Sequence, residues 1–96
     1  MSIQPATYIM ASQRNGTLYV GATGALRESV YQHREALIDG FTKQYGVKTL
    51  VHFEFFESMP TAIAREKQLK KMLRKAKLAL IERGNPQWRD LWPDIQ

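Results

Sequence analysis

The stretch 6-ATYIMASQRNGTLYVG-21 decides the fold, because it contains two apolar runs separated by a turn. Residues 6–12 and 17–21 have the side-chain types that favour strands. Asn15-Gly16 between them is the strongest short-range signal for a β-hairpin. The chain is therefore predicted to begin with two hydrogen-bonded strands.

This hairpin carries two tyrosines, Tyr8 and Tyr19. An even number of loop residues places both on one face of the hairpin, and an odd number separates them. The ordinary role of a strand tyrosine is packing. Two phenols on one face also suit a proton acceptor and its hydrogen-bond partner near a metal ion. A cation is then needed, because the ordinary tyrosine pKa of about 10 makes a poor base.

A helix over 24–38 is expected after the hairpin, with Thr23 as its N-cap and Gly40 as its end. Its apolar stripe has the spacing i, i+4, i+7, i+11 and consists of Leu26, Val30, His33 and Leu37. Residues 41–46 are then expected to form a loop. A third strand follows over 49–56, where apolar and polar side chains alternate.

Two more helices complete the pattern. Ser58 and Pro60 mark the start of a second helix. Its apolar side is predicted to consist of Ala62, Ile63, Leu69 and Leu73. A third helix is centred on 78–81 and ends at Gly84, and the tail residues Trp88, Leu91 and Trp92 are expected to pack on the core. A hairpin, one more strand and covering helices make a small α+β domain that spans residues 1–96.

Composition narrows the classes of function. The 96 residues contain no cysteine, which excludes disulfides, thiol nucleophiles and thiolate metal sites. The first five residues lack the apolar run of a signal peptide, and the aliphatic stretch 78–81 is too short to span a bilayer. A cytoplasmic protein without a membrane partner is the expectation.

The net charge of +5 is concentrated in one segment. Half of the 14 basic residues lie there with only Glu66 opposing them: Arg65, Lys67, Lys70, Lys71, Arg74, Lys75 and Lys77. Such a block fits a polyanion, most simply a nucleic-acid backbone. The alternative is an ordinary solvated helix face.

Glu66 lies among apolar positions of the second helix. A lone carboxylate there requires a cation, a hydrogen-bond network or a metal ion. Mg²⁺ fits, because proteins commonly hold it with one or two carboxylates together with substrate phosphate and water. The alternative is that Glu66 lies at the edge of the stripe and pairs with Lys70, four residues on.

His33 and Asn85 are the remaining candidates. His33 shares the apolar stripe of the first helix, where a histidine that donates to a backbone carbonyl is the commoner case. The functional alternative places it at the rim of a cleft, where it positions a nucleophile or a phosphate. Asn85 precedes Pro86 and on local grounds is a turn residue.

Taken together, these segments resemble the GIY-YIG nuclease superfamily, in particular its small single-domain bacterial members. The family's Gly-Ile-Tyr is Ala6-Thr7-Tyr8 here, with only the tyrosine kept, and its second motif corresponds to Tyr19-Val20-Gly21. The segments 26–33 (LRESVYQH), 64–70 (AREKQLK) and 85–91 (NPQWRDL) resemble the first helix with its histidine, the metal-binding segment and the closing signature.

The resemblance implies a three-stranded antiparallel β-sheet flanked by three α-helices and a one-metal hydrolysis of phosphodiester bonds. Glu66 would hold one Mg²⁺ or Mn²⁺. Tyr8 or Tyr19 would assist deprotonation of water, His33 would orient the reacting groups, and Asn85 would help to shape the site. The nucleic-acid contacts are expected from Lys67, Lys70, Lys71 and Arg74.

One position departs from the family pattern. The arginine expected four residues before the histidine is Ser29. That arginine is expected to clamp the scissile phosphate, and loss of such a donor typically costs on the order of 10²–10³-fold in rate. Arg27 is rotated by roughly 200° from this position and cannot replace it. Arg14, Lys43 or Lys70 are candidates to supply the charge instead.

The leading interpretation is a metal-dependent DNA endonuclease, non-specific or specific for DNA structure, whose activity is impaired by Ser29. RNA is an alternative substrate. A second interpretation is a catalytically silent nucleic-acid-binding module with the same fold. A third, a protein-interaction module, has no positive support in the sequence.

Overall fold

The computed structural model describes residues 4–37 and 40–96. Its centre is one antiparallel sheet of three strands in the order β2-β1-β3. The strands are β1 (Ala6–Ala11), β2 (Leu18–Thr23) and β3 (Thr49–Phe55). Helices flank the sheet, so the predicted α+β class and the three-stranded antiparallel sheet are confirmed.

The β1–β2 hairpin forms at the predicted turn. Ala11 pairs with Leu18, which leaves six residues in the loop, an even number. Asn15 adopts φ 57°, a left-handed conformation that asparagine tolerates better than most residues. The even loop places Met10 opposite Tyr19, so Tyr8 and Tyr19 share a face as the parity argument requires.

Each face of the sheet buries its own cluster. The face that contains Tyr8 and Met10 packs against the first helix, α1 (Leu26–Arg34), through Leu26 and Val30. The opposite face, which contains Ile9 and Val20, packs against the third and fourth helices. These are α3 (Met59–Lys71) and α4 (Arg74–Gly84).

Helix α1 is shorter than predicted at both ends. Its N-cap is Ala25 rather than Thr23, and the Thr23 hydroxyl accepts a 3.0 Å hydrogen bond from the Ala25 amide. The helix ends at Arg34, and Ala36 takes a left-handed φ of 53°. Leu37 therefore leaves the apolar stripe and is exposed. Ile38, the last residue of the predicted helix, lies outside the described residues.

The segment predicted as a loop over 41–46 contains one helical turn, α2 (Phe41–Gln44). Gly40 (φ 122°) and Gly46 (φ 63°) flank this turn with backbone conformations that favour glycine. The turn buries the Thr42 side chain. Four residues are too few to show helical periodicity, which is why the sequence pattern gave no indication of α2.

Helix α3 begins as predicted, with Ser58 as its N-cap. Its apolar side is narrower than expected, because only Ala62 and Leu69 are buried. Ile63 is partly exposed and Leu73 is largely exposed, since Leu73 lies in the break between α3 and α4. The predicted apolar side assumed one continuous helix through Leu73. The break at residues 72–73 removes Leu73 from that side.

The C-terminal segment folds back on the core, as predicted. Trp88 is buried against the cluster on the α3–α4 face, and Leu91 and Trp92 pack against the cluster on the α1 face. Arg34 at the end of α1 forms an ion pair with Asp90, and its guanidinium lies 5.0 Å from the centre of the Trp92 ring. Among the described residues, no helix has the length and apolarity needed to cross a membrane.

Candidate active site

Tyr8 and Tyr19 meet on the α1 face of the sheet. Tyr8 is 3% exposed, Tyr19 is half-buried, and their ring centres are 6.2 Å apart. Tyr8 pairs across the hairpin with Gly21. A Cβ at Gly21 would lie 2.7 Å from the Tyr8 hydroxyl oxygen, so the ring of Tyr8 occupies the space above a glycine. The motif Tyr19-Val20-Gly21 thus supplies Tyr19 and also the glycine that leaves room for the Tyr8 ring.

His33 joins the two tyrosines from α1. Its side chain is buried at 6% exposure, and Nε2 lies 3.1 Å from the Tyr8 hydroxyl. The His33 ring centre is 5.0 Å from that of Tyr19. The second ring nitrogen, Nδ1, lies 3.0 Å from the Thr42 hydroxyl. The hydrogen-bond partners of His33 are therefore two side-chain hydroxyls rather than the backbone carbonyl of an ordinary core histidine.

Burial determines the protonation of the pair formed by Tyr8 and His33. Burial raises the pKa of Tyr8 far above the ordinary value of a phenol, and electrostatic interactions with Tyr19 and with the Glu66 carboxylate raise it further. Burial lowers the pKa of His33 below 6.5. At neutral pH the Tyr8 phenol therefore keeps its proton and the His33 imidazole is neutral.

Glu66 lies on α3, the helix that packs on the opposite face of the sheet and contacts β2 and β1. Its side chain is 20% exposed, and its charge acts on Tyr8. The Lys70 ammonium lies 3.4 Å from the Glu66 carboxylate, which is the i, i+4 pair weighed from the sequence. Glu66 therefore has a local cation partner and also lies within electrostatic reach of the tyrosine cluster.

The donors at Glu66 fit a sparsely coordinated divalent ion. Among residues 4–37 and 40–96, no group of three or more histidine, cysteine, aspartate or glutamate side chains could enclose a metal. Mg²⁺ does not need such a cage, because it usually keeps several waters and binds through one or two carboxylates plus substrate phosphate. The partly buried Glu66 carboxylate, whose charge acts on the Tyr8 phenol, is a ligand of this kind.

Ser29 lies one turn before His33 on α1, at the position where the family arginine is expected. Its hydroxyl is 2.7 Å from the Thr23 hydroxyl, which also accepts from the Ala25 amide. The side chain thus stabilises the start of α1. Of the cations considered as replacements, Arg14 pairs with Glu82 on α4, whereas Lys70 lies at Glu66.

The basic residues are exposed along the end of α3 and the start of α4. They are Lys67, Lys70, Lys71 and Arg74. Arg74 also has a structural role, because its guanidinium donates to the backbone carbonyls of Asn15 (2.7 Å) and Gly16 (2.6 Å) in the hairpin loop. The basic surface therefore includes Lys70, the partner of Glu66.

Asn85 lies elsewhere, at the end of α4. Its amide nitrogen donates to the Val51 carbonyl (3.3 Å) and to the Arg89 carbonyl (2.8 Å), and its oxygen accepts from the Arg89 amide (3.0 Å). These bonds attach the C-terminal segment to β3. The described hydrogen bonds connect Asn85 to this segment and not to the cluster of Tyr8, Tyr19 and His33.

Thr42 is the residue of this cluster that the sequence did not indicate. It is 5% exposed and lies on the single turn α2. A threonine in a segment with no visible periodicity has no distinguishing mark, because its importance comes from the tertiary contact with His33.

Comparison with known proteins gives a matching domain family and several relatives. The model of the GIY-YIG catalytic domain matches residues 4–79. The UPF0213 protein of Clostridium perfringens is 37% identical over 68 residues, which are 71% of this chain and 73% of that protein. The UPF0213 protein of Syntrophus aciditrophicus is 36% identical over 72 residues, or 74% of this chain and 82% of that protein.

A third relative, a UPF0213 protein of Haloquadratum walsbyi, is 32% identical over 68 residues, which are 71% of this chain and 76% of that protein. No solved structure shows a significant match to the chain.

Proposed function

The chain belongs to the GIY-YIG family, and from that premise we propose that it is a metal-dependent endonuclease that hydrolyses phosphodiester bonds in DNA. The observation that carries the proposal is the hydrogen bond between the Tyr8 hydroxyl and His33 Nε2, formed within reach of the Glu66 charge. A buried phenol, an imidazole and a carboxylate are the groups needed to move a proton from water and to hold a cation.

Glu66 would hold one Mg²⁺ or Mn²⁺. When bound, the ion supplies positive charge that polarises the scissile phosphate and stabilises the leaving oxygen. Binding of the ion would compete with the Lys70 ammonium for the Glu66 carboxylate. Lys67, Lys70, Lys71 and Arg74 are exposed along α3 and the start of α4 and would attract the nucleic-acid backbone.

Tyr8 and His33 would receive the proton of the attacking water. Because Tyr8 keeps its own proton at neutral pH, it acts by passing that proton to His33 Nε2 as it takes one from water. Tyr19 is half-buried and its ring lies tilted beside that of His33, so it is the more exposed of the two tyrosines. Asn85 would contribute indirectly by fixing the C-terminal segment on β3.

The test is a cleavage assay with Mg²⁺ and with Mn²⁺ on plasmid, single-stranded and branched DNA. Wild type is compared with Glu66→Ala, and Glu57→Ala is the control, because Glu57 is an exposed carboxylate in the loop before α3. We expect metal-dependent cleavage by wild type and by Glu57→Ala, and none by Glu66→Ala. Undiminished cleavage by Glu66→Ala contradicts the proposed mechanism.

The basic surface has its own test. Lys67→Glu combined with Lys71→Glu should weaken DNA binding and flatten its dependence on salt, because fewer counterions are released. Lys48→Glu combined with Arg83→Glu makes the same change of net charge at exposed positions on other elements. Equal binding by the two double variants shows that net charge alone, and not this surface, attracts the nucleic acid.

A second function is favoured by one observation, the hydrogen bond between Ser29 and Thr23 where the family arginine is expected. With no phosphate clamp on α1, the protein would serve as a nucleic-acid-binding module that does not cut. Salt-dependent DNA binding without cleavage under either metal supports this function over the first.

A further inference from the structure

Thr42 is bonded to the proton-transfer pair but has no part in the proposed function so far. Its hydroxyl lies 3.0 Å from His33 Nδ1, and both side chains are buried. The turn α2 that carries Thr42 is flanked by two glycines with positive φ, Gly40 and Gly46. These conformations, which glycine adopts most easily, allow the short segment to bury Thr42 against His33. The contact makes a continuous chain of three groups, in the order Thr42, His33, Tyr8.

The two hydroxyls that bond to His33 determine which of its ring nitrogens carries the hydrogen. A neutral imidazole has one N–H donor and one acceptor nitrogen. The buried Tyr8 hydroxyl carries a proton, and the acceptor that the described hydrogen bonds give it is His33 Nε2. A buried hydroxyl without an acceptor is costly, so Nε2 accepts and Nδ1 carries the hydrogen. The Thr42 hydroxyl oxygen is then the acceptor for Nδ1–H.

From this geometry we propose that Thr42 is a positioning residue that holds His33 as the Nδ1–H tautomer and thereby keeps the Nε2 lone pair directed at the Tyr8 hydroxyl. The proposal rests on the proposed nuclease function for its catalytic consequence, but the tautomer itself is a property of the folded protein.

The proton movements balance in this arrangement. The Tyr8 O–H bond breaks as an N–H bond forms at His33 Nε2, and the Tyr8 oxygen takes a proton from water, which becomes the hydroxide that attacks phosphorus. His33 is then a cation with both nitrogens protonated. Nε2–H donates to Tyr8 and Nδ1–H donates to Thr42, so neither N–H is left unpaired. Without the Thr42 hydroxyl the Nδ1–H would have no acceptor among the described residues in either the neutral or the charged ring.

The experiment measures the ¹⁵N chemical shifts of the His33 ring nitrogens by NMR in the full chain at neutral pH. Wild type, Thr42→Val and Thr42→Ser are compared. We expect an Nδ1–H shift pattern in wild type, a change toward Nε2–H in Thr42→Val, and the wild-type pattern in Thr42→Ser, which restores the hydroxyl. An Nε2–H pattern in wild type, or an unchanged pattern in Thr42→Val, overturns the proposal.

Thr7→Val is the matched control. Thr7 is also fully buried, and its hydroxyl donates a 2.7 Å hydrogen bond to the Ala62 carbonyl at α3, on the other face of the sheet. Thr7→Val removes a buried hydroxyl as Thr42→Val does. Because the Thr7 hydroxyl bonds to Ala62 and not to His33, the variant should leave the His33 tautomer unchanged. If Thr42→Val does not fold, Thr42→Ala takes its place. A tautomer change in Thr7→Val as large as in the Thr42 variant overturns the specific role.

Cleavage kinetics give the second readout. Loss of one hydrogen bond should lower kcat of Thr42→Val on the order of 10-fold with KM unchanged, and Thr42→Ser should restore it. If wild type does not cleave DNA, the proposed function fails, while the NMR pattern still decides the tautomer. If wild type cleaves and Thr42→Val has full kcat, the positioning role fails and the nuclease function stands.

Discussion

Gly21 and Tyr8 lie opposite each other in the β1–β2 ladder, and the Tyr8 ring passes over the Gly21 backbone at a distance that leaves no room for a side chain. A Cβ at Gly21 would stand 2.7 Å from both the Tyr8 hydroxyl oxygen and its ring carbon Cζ. Tyr8 is held on its other side by His33. The absence of a side chain at position 21 therefore permits the observed placement of the Tyr8 hydroxyl.

Gly21→Ala should displace Tyr8 from His33. Overpacking of this kind typically costs about 1–3 kcal/mol, which chemical denaturation would detect, and DNA cleavage should fall more than stability does. Gly84→Ala is the control, because no atom lies within 4 Å of a Cβ built there. Full cleavage activity in a folded Gly21→Ala protein would show that the position of the Tyr8 hydroxyl is not critical.

The tyrosines can be distinguished by single substitutions to phenylalanine. Tyr8→Phe removes the hydroxyl bonded to His33, so we expect single-turnover cleavage to fall on the order of 10²–10⁴-fold. Tyr19→Phe keeps the ring beside His33 and should cost less. Tyr31→Phe, an exposed tyrosine on α1, should cleave like wild type. A larger loss in Tyr19→Phe than in Tyr8→Phe would assign the proton transfer to Tyr19.

The fold was predictable where local signals agree. Asn15-Gly16 between two runs of strand-favouring residues predicted the hairpin, and Ser58 with Pro60 predicted the start of α3. The errors lie at element ends. The apolar spacing of α1 continues through Leu37, but the left-handed Ala36 ends the helix earlier. Periodicity alone does not register a single residue that leaves the helical region.

The site was predictable only in part, for the same physical reason. Strand parity predicted Tyr8 and Tyr19 on one face only for an even loop, which the structure has. The helical stripe predicted that His33 lies on the apolar side of α1, because helical spacing is short-range geometry. Thr42 lies nine residues after His33, and the backbone between them passes through positive-φ conformations at Ala36 and Gly40, which no periodic pattern encodes. Similarly, the Ser29–Thr23 bond depends on where α1 begins, which the sequence placed too early.

The hydrogen-bonded network around the Glu54 carboxylate makes the free energy of unfolding depend on pH. Arg65 on α3 donates two 3.0 Å hydrogen bonds to Glu54 on β3, and His52 Nε2 lies 2.7 Å from the same carboxylate. Burial alone would raise the pKa of Glu54, but the hydrogen bonds and charges of Arg65 and His52 together lower it below 4.5. A lowered folded-state pKa stabilises the protein above pH 4.5, and this contribution disappears as pH falls through the folded-state value.

Glu54→Gln should therefore destabilise the protein at neutral pH and much less in acid. We expect a loss of about 1.5–3 kcal/mol at about pH 7, measured by chemical denaturation, because the hydrogen bonds involve a charged group. The difference from wild type should shrink at about pH 3. Glu57→Gln, at an exposed position, should show no such dependence. A Glu54→Gln difference that is constant with pH would show that the network contributes through packing and not through charge.

Ser29→Arg is the sharpest test of whether the site is complete. Position 29 lies four residues before His33, so an arginine there is on the same face of α1 and one turn from the Tyr8–His33 pair. If the phosphate clamp is missing, the substitution should raise cleavage on the order of 10²–10³-fold. It also breaks the bond with Thr23, at a cost of about 1 kcal/mol in stability.

Two further variants show what the arginine contributes. Ser29→Gln makes the same break at Thr23 with a long neutral side chain, and Ser29→Lys adds a charge without the bidentate guanidinium. We expect the rates to rise in the order Gln, Lys, Arg. Equal rates for Ser29→Gln and Ser29→Arg would mean that a cation such as Lys70 already binds the phosphate in the wild type, and Lys70→Ala should then abolish cleavage. Cleavage that appears only in Ser29→Arg would mean that the guanidinium is the one group the wild-type site lacks for cleavage.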